Sequence, residues 1–193
     1  MAAARRMVDG VRRALDGPNV LGTNAVAYPH TPFLELSPEE WDAVLDTNLK
    51  GVLLTCQAAA QALVAAGRGG RIVAVDSGAA TTALWGWAHY CASKVDVDSM
   101  TTAMALELGG HDIQVNAVLP GYVDVDEGGQ HLDPAYKHQA RSAVPLGRAG
   151  EPADVAGAVL LLASPLADFV NGASLAVDGG SGAGRSGVRL AGG

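Results

Sequence analysis

The sequence predicts an open α/β fold built on a parallel sheet. Short β-like runs alternate with long helical ones, in the order α-β-α-β-α-β-(α)-α-β. Such alternation implies parallel strands joined by helical crossovers. Two of the strand candidates, at 71–77 and 113–119, are almost continuously apolar, as strands covered on both faces must be. The 193 residues, 49% hydrophobic and 17% charged, suffice for one domain over residues 1–180 and exclude a disordered chain. Residues 181–193 are expected to form a flexible tail.

Each element has its own local reason. Met7, Val8, Val11 and Leu15 fall at helical spacing and place one apolar face on a helix over 2–15. Residues 19–23 form a short strand. Ser37-Pro38-Glu39-Glu40 starts a helix: Ser37 accepts from free N–H groups, Pro38 suits the first position, and Glu40 closes a capping box. That helix runs to about Ala66, where Gly67 ends it. The strand at 71–77 precedes a second long helix over 88–108, closed by Gly109-Gly110. The strand at 113–119 halts at Pro120-Gly121. A short helix over 134–143 lies in a long loop, a clearer one spans 152–163, and a last strand covers 174–177 before Asp178-Gly179-Gly180. In an open sheet of this kind a ligand sits beyond the carboxyl ends of the strands, where Asn24, Ser77 and Pro120 fall.

Composition removes several classes of function. The net charge of -7 argues against a nucleic-acid partner, which needs a basic face. Apolar stretches are broken by Gly, Gln or Asp short of the ~20 residues of a membrane span, and the first residues lack the apolar core of a signal peptide. Two cysteines, Cys56 and Cys91, fit a reducing, cytoplasmic compartment rather than a disulfide framework. No His/Cys/Asp cluster has metal-ligand spacing, so no metal is expected. Cys91 beside Tyr90 reads as helix packing rather than as a nucleophile.

Lysine is scarce, with Lys50, Lys94 and Lys137 against ten arginines. Lys94 lies four residues after Tyr90, which puts both on one face of a helix. A phenol titrates near pH 10. A neighbouring ammonium brings that value down and makes tyrosine a usable general acid/base. Ser77 ends a buried strand thirteen residues before Tyr90 and can hold a carbonyl oxygen beside it, or else satisfy its own turn. Asn48, a poor helix residue, sits mid-helix with Gly51 nearby to compound the cost. It reads either as a solvated asparagine or as a local break whose freed backbone group holds a water.

Together these residues resemble the short-chain dehydrogenase/reductase family, and the match covers nearly the whole chain. Thr23-Asn24-Ala25 stands for the Asn-Asn-Ala-Gly motif, Asn48 for the asparagine of Asn-Leu-Lys-Gly, followed by Ser77, Tyr90 and Lys94. Val115-Asn116-Ala117-Val118-Leu119-Pro120-Gly121, Pro145-Leu146-Gly147-Arg148, Asn171-Gly172 and Val177-Asp178-Gly179-Gly180 continue the series in order. The resemblance implies a Rossmann-like sheet and hydride transfer between NAD or NADP and a carbonyl or alcohol carbon. It implies Tyr90 as acid/base, and Lys94 holding the nicotinamide ribose and lowering the tyrosine pKa. Ser77 is implied to position the substrate oxygen, and Asn48 to hold a relay water. Pro120, Gly121 and Val123 are implied at the nicotinamide, Asn24 and Ala25 on the adenosine side. Trp85 and Trp87, with His131 and Tyr136, fall in loops that build the substrate pocket in relatives, so an aromatic-lined pocket for a small carbonyl, sugar or acyl compound is one reading and core packing of the loop the other. A homodimer or homotetramer through the helices at 38–66 and 88–108 is likewise implied.

The chain departs from the family pattern in places. Val26 replaces a glycine, and Val125 a threonine. Asp96 and Asp98 follow Lys94 where apolar residues are usual, with exposed placement expected. The family's opening β-α-β-α-β portion, with its glycine-rich phosphate turn, is absent, which leaves the strand at 19–23 as an apolar sheet edge. Gly182-Ala183-Gly184-Arg185-Ser186-Gly187 imitates that turn, but only six residues follow, too few for the helix that a phosphate needs. Two readings therefore stand: an oxidoreductase, or a catalytically silent homologue acting as an oligomerising partner or remnant.

Overall fold

Ile113, Val115, Ala117 and Val118 have no exposed surface at all, and the strand that carries them is the middle of the molecule. The computed structural model of the chain describes residues 2–15, 17–125 and 134–184. Its elements are α1 (Ala2–Leu15), β1 (Val20–Thr23), α2 (Pro38–Leu45), α3 (Gly51–Ala66), β2 (Gly70–Val75), α4 (Ala88–Leu108), β3 (Ile113–Pro120), α5 (Pro134–Ser142), α6 (Pro152–Leu162) and β4 (Ser174–Val177). The four strands form one parallel sheet in the order β1-β2-β3-β4. Val73 pairs with Asn116 and Ala117 with Ser174, so the strand ends align along one edge. β1 lies at the rim, with Val20 46% exposed, as expected for a strand paired on one side among the described residues.

Alternate residues of the inner strands feed the two faces of the sheet. On one face Ile72, Ile113 and Val115 pack with Cys56, Ala60 and Leu63 of α3 and Ala105 of α4. Farther along that face Ala74, Ala117 and Leu119 meet Val97 of α4. On the other face Val73 and Val118 pack with Leu162 of α6 and Ala167. α1 joins from outside, seating Val8 on Ala58, Ala59 and Ala62 of α3. Cys56 is a packing residue: burial pushes its thiol up to about 12.

Several sequence expectations need amendment. The helix expected over 38–66 is interrupted by a π-helical turn, Asp46–Lys50, where the Gly51 N–H reaches back five residues to Asp46 O. The extra residue breaks the helical ladder around Asn48, the position whose composition signalled a break. Taken as one element, Pro38–Ala66 is long and apolar enough by composition to cross a bilayer; here it packs on α1, β1 and α4. Ser37 caps α2 by accepting from Glu40 N at 3.1 Å. Glu40 does not close a capping box: its Oε1 accepts from Thr31 Oγ1 and meets His89 Nε2 at 3.1 Å. The tertiary partners outcompete the local one. β2 ends at Val75, which leaves Asp76 and Ser77 beyond the strand. Asp96 is exposed, whereas Asp98 is half-buried and accepts from Ser174 Oγ on β4. Gly182–Gly184 form a turn held by Asp178, whose Oδ2 accepts from Gly182 N at 2.7 Å. The rest of that glycine-rich string and of the expected tail, residues 185–193, lies outside the described residues, as does His131.

Candidate active site

Three strand ends and the first turns of α4 make the candidate site. β2 delivers Ser77 in extended conformation, and its hydroxyl accepts from Ala79 N at 3.1 Å, capping a 3-10 turn. The turn reading of Ser77 thus holds, and the same hydroxyl faces the Tyr90 phenol closely enough to favour its ionised form. Tyr90 stands on the first turn of α4, and Lys94 one turn later puts Nζ 5.8 Å from the centre of its ring. Lys94 is 4% exposed. Its Nζ donates to Val75 O at 3.1 Å and lies 3.7 Å from Asp76 Oδ1.

The electrostatics differ from the sequence expectation. Burial pushes the Tyr90 phenol up to about 12; the Ser77 hydroxyl works against this, and the Asp76 charge adds to it. Burial also drives the Lys94 ammonium down from its ordinary value, opposed by Asp76. Burial thus outweighs any lowering of the phenol by the lysine, whose Nζ faces Asp76. The Lys94 charge is spent on a carboxylate buried beside it.

Asn48 is 1% exposed and not solvated. Its side chain binds the backbone of Ala27 from both sides, accepting from Ala27 N at 2.7 Å and donating to Ala27 O at 2.8 Å. Its amide also donates to Ser93 Oγ at 3.1 Å, next to Lys94 in the chain. Asn48 thereby ties the loop after β1 to the helix that carries Tyr90 and Lys94.

Asn24 and Ala25 lie exposed just beyond β1, with Val26 exposed after them. Pro120 ends β3. At Gly121 a Cβ would stand 2.7 Å from Asp178 Cβ, so only glycine lets the chain turn there. Val123 bridges to Gly150, and Val125 is exposed. The two tryptophans divide between the readings made for them. Trp87 is 8% exposed and donates from Nε1 to Tyr28 O at 3.0 Å, packing the loop down. Trp85 is 79% exposed, its ring 5.4 Å from that of His30. His30 also meets Trp87 at 4.6 Å, Trp87 meets Tyr136 at 6.1 Å, and Tyr28 meets Tyr90 at 6.0 Å. Cys91 packs as expected, with Leu84 N at 3.4 Å from its sulfur.

Sequence reasoning missed Asp76, Tyr28, His30 and the pairing of the half-buried Glu40 with the buried His89. Asp76 had a visible signal, a carboxylate closing the apolar run Arg71-Ile72-Val73-Ala74-Val75. Tyr28 and His30 had none, since a loop brings them across from β1.

Ser77, Tyr90 and Lys94 gather at the end of β2, and comparison with known proteins places the chain among oxidoreductases. Residues 1–182 match the family model described as Enoyl-(Acyl carrier protein) reductase. The L-rhamnose 1-dehydrogenase (NAD(P)(+)) of Azotobacter vinelandii is 40% identical over 182 residues, covering 92% of this chain and 70% of the relative. The (3R)-3-hydroxyacyl-CoA dehydrogenase of Mus musculus is 37% identical over 179 residues, 92% and 69% of the respective chains. Among solved structures, a gluconate 5-dehydrogenase from Burkholderia cenocepacia in complex with NADP and tartrate superposes with a TM-score of 0.89 at 31% identity, covering 95% of this chain and 72% of that one. A short-chain type dehydrogenase/reductase from Mycobacterium marinum gives 0.83 at 36% identity, covering 92% and 69%. The chain belongs to the short-chain dehydrogenase/reductase family of oxidoreductases.

Proposed function

We propose that this protein interconverts a carbonyl and an alcohol by hydride transfer with NAD or NADP, with Tyr90 as the acid/base. The observation that carries the reading is the gathering of three groups at the end of β2: Ser77, whose hydroxyl favours the ionised Tyr90 phenol, and Lys94, buried with its Nζ 5.8 Å from the Tyr90 ring centre and 3.1 Å from Val75 O. Two hydroxyls so placed can converge on one substrate oxygen, which is what proton transfer to a carbonyl requires.

The donor set fits the nicotinamide end of such a cofactor. An ammonium has three donors; Val75 O takes one and Asp76 faces another, which leaves one for a ribose hydroxyl. Pro120, Gly121 and Val123 would line the nicotinamide, and Asn24 and Ala25 the adenosine side. A bound nicotinamide supplies or accepts the hydride. Tyr90 gives its proton to the substrate oxygen as that oxygen gains charge, and Ser77 holds the oxygen in place. Lys94 sits where it can return a proton to Tyr90 through a ribose hydroxyl, and Asn48, at the π turn, would hold the water that connects this relay to solvent.

The exposed face of Trp85 against His30 suits the apolar face of a small sugar, polyol or acyl compound, and sugar and hydroxyacyl dehydrogenases both occur among the relatives. Exposed Leu53, Val64, Val95 and Leu106 on α3 and α4 support a homodimer or homotetramer, and free cysteines a cytoplasmic setting. Light scattering that gives a strict monomer would contradict the assembly.

The test is a calorimetric titration with NAD(H) and NADP(H), followed by turnover on a panel of sugars, polyols and hydroxyacyl thioesters. Micromolar cofactor binding, with turnover lost in Tyr90→Phe and the fold retained, supports the proposal. No binding at millimolar cofactor, or wild-type rates in Tyr90→Phe, overturns it and selects the silent oligomerising homologue.

A further inference from the structure

Asp76 is a carboxylate in a costly place. Its side chain has no exposed surface, and neither oxygen has a partner at hydrogen-bonding distance. A buried, unpartnered carboxylate costs several kcal/mol in most proteins and persists only where something compensates it. The one cation near it among the described residues is Lys94, whose Nζ is 3.7 Å from Oδ1 and whose side chain is itself 5% exposed. The backbone fixes Asp76 on the other side, its N–H donating to Val118 O of β3 at 2.9 Å.

We propose that Asp76 is a positioning residue, the buried counter-ion that seats Lys94 at the end of β2 and through it governs the ionisation of Tyr90. The inference rests on the proposed roles of Lys94 and Tyr90, and no step of the reaction given above uses Asp76.

The surroundings define the electrostatics. The titratable groups facing Asp76 come from α4: Lys94, Asp98 and Tyr90. Asp98 raises the Asp76 carboxyl further and is itself tethered to Ser174 of β4. β3 presents a backbone carbonyl. Tyr90 in turn faces Tyr28 and Cys91 as well as Ser77. Burial pushes the Asp76 carboxyl up to about 7, with Lys94 opposing. Above that pH the site holds a neutral pair, so Lys94 is locked in place but has little field left to stabilise a phenolate. Below it Asp76 is protonated, and the ammonium is released toward Tyr90 and toward any ligand hydroxyl. The folded carboxyl binds its proton more tightly than the unfolded one, so the pair costs stability as pH rises from the ordinary carboxylate range toward 7.

The chain has three lysines, which makes the Lys94 ammonium resolvable by heteronuclear NMR, with Lys94→Arg to assign it. In the wild-type protein without cofactor, the Lys94 signal is expected to show an inflection at the Asp76 midpoint, near neutral pH, followed in parallel on the Asp76 carboxyl carbon. Asp76→Asn is expected to remove that inflection and lower the Lys94 midpoint by about one pH unit or more, a tenfold change in proton affinity. A wild-type Lys94 signal flat through neutral pH overturns the inference, as does a midpoint unchanged in Asp76→Asn. The wild-type titration decides the matter even if the variant does not fold. In turnover assays Asp76→Asn should displace the pH profile of kcat/KM, which a merely structural residue would leave in place. Absence of turnover and cofactor binding would defeat the proposed function, while the NMR titration would still judge Asp76.

Discussion

Replacing Asn48 by alanine removes three hydrogen bonds at once: those to Ala27 N (2.7 Å), Ala27 O (2.8 Å) and Ser93 Oγ (3.1 Å). Each such bond contributes about 1 kcal/mol net, so Asn48→Ala should cost about 3 kcal/mol. Ala27 is only partly buried, so water can replace some of what it loses, whereas Ser93 has no exposed surface and no such recourse. Asn48→Asp keeps the shape and the acceptor for Ala27 N but sets an oxygen against Ala27 O, so it should cost at least as much at neutral pH. The assay is denaturant unfolding at pH 7 for the three proteins, with thermal unfolding beside it. For a chain of this size the alanine variant should melt about 6–12 °C lower. Amide exchange at Ala27 should rise even where global stability is held equal by temperature, since the loop after β1 loses its tether to α4. An Asn48→Ala protein within about 0.5 kcal/mol of wild type, or an unchanged Ala27 exchange rate, would show that the buried asparagine does not hold the loop.

Two further outcomes follow from single contacts. Gly86 has φ +79°, and a Cβ there would stand 2.3 Å from His30 Nε2. Gly86→Ala should therefore lose about 1–2 kcal/mol from the left-handed backbone alone and raise the substrate KM by pushing His30 off Trp85 and Trp87. Full stability with an unchanged KM would refute that placement. Arg148 forms a two-pronged pair with Asp154 at 2.7 and 2.8 Å, which, with the Glu151 amide, holds the Asp154 carboxyl well below its usual range. A depressed carboxylate stabilises the fold above its unfolded pKa and loses that effect as pH falls. Arg148→Ala should thus lower Tm at pH 7, with the difference from wild type shrinking in acid and at high salt; a difference that grows in acid would contradict the pairing.

The parallel sheet was legible because its causes are local. Nearly continuous apolar runs such as 113–119 must be covered on both faces, and Ser37-Pro38, Gly67 and Pro120-Gly121 mark ends by backbone chemistry that operates wherever they occur. Asn48, a poor helix residue with Gly51 nearby, marked the π turn for the same reason. Glu40 was misread because its carboxylate is drawn to Thr31 and His89, groups distant or unremarkable in the sequence, and their pull exceeds that of a capping box.

At the candidate site, residue types and spacing sufficed to single out Ser77, Tyr90 and Lys94, since a strand end followed by helical i,i+4 geometry constrains where those side chains go. Their electrostatic state was another matter. The Tyr90–Lys94 spacing alone argues for a lowered phenol, yet burial and Asp76 raise it. Periodicity in a sequence reports which residues share a face. Desolvation and the company of charges depend on how several faces close over one another, and so the fate of the Lys94 charge was settled only when β2, β3 and α4 packed around Asp76.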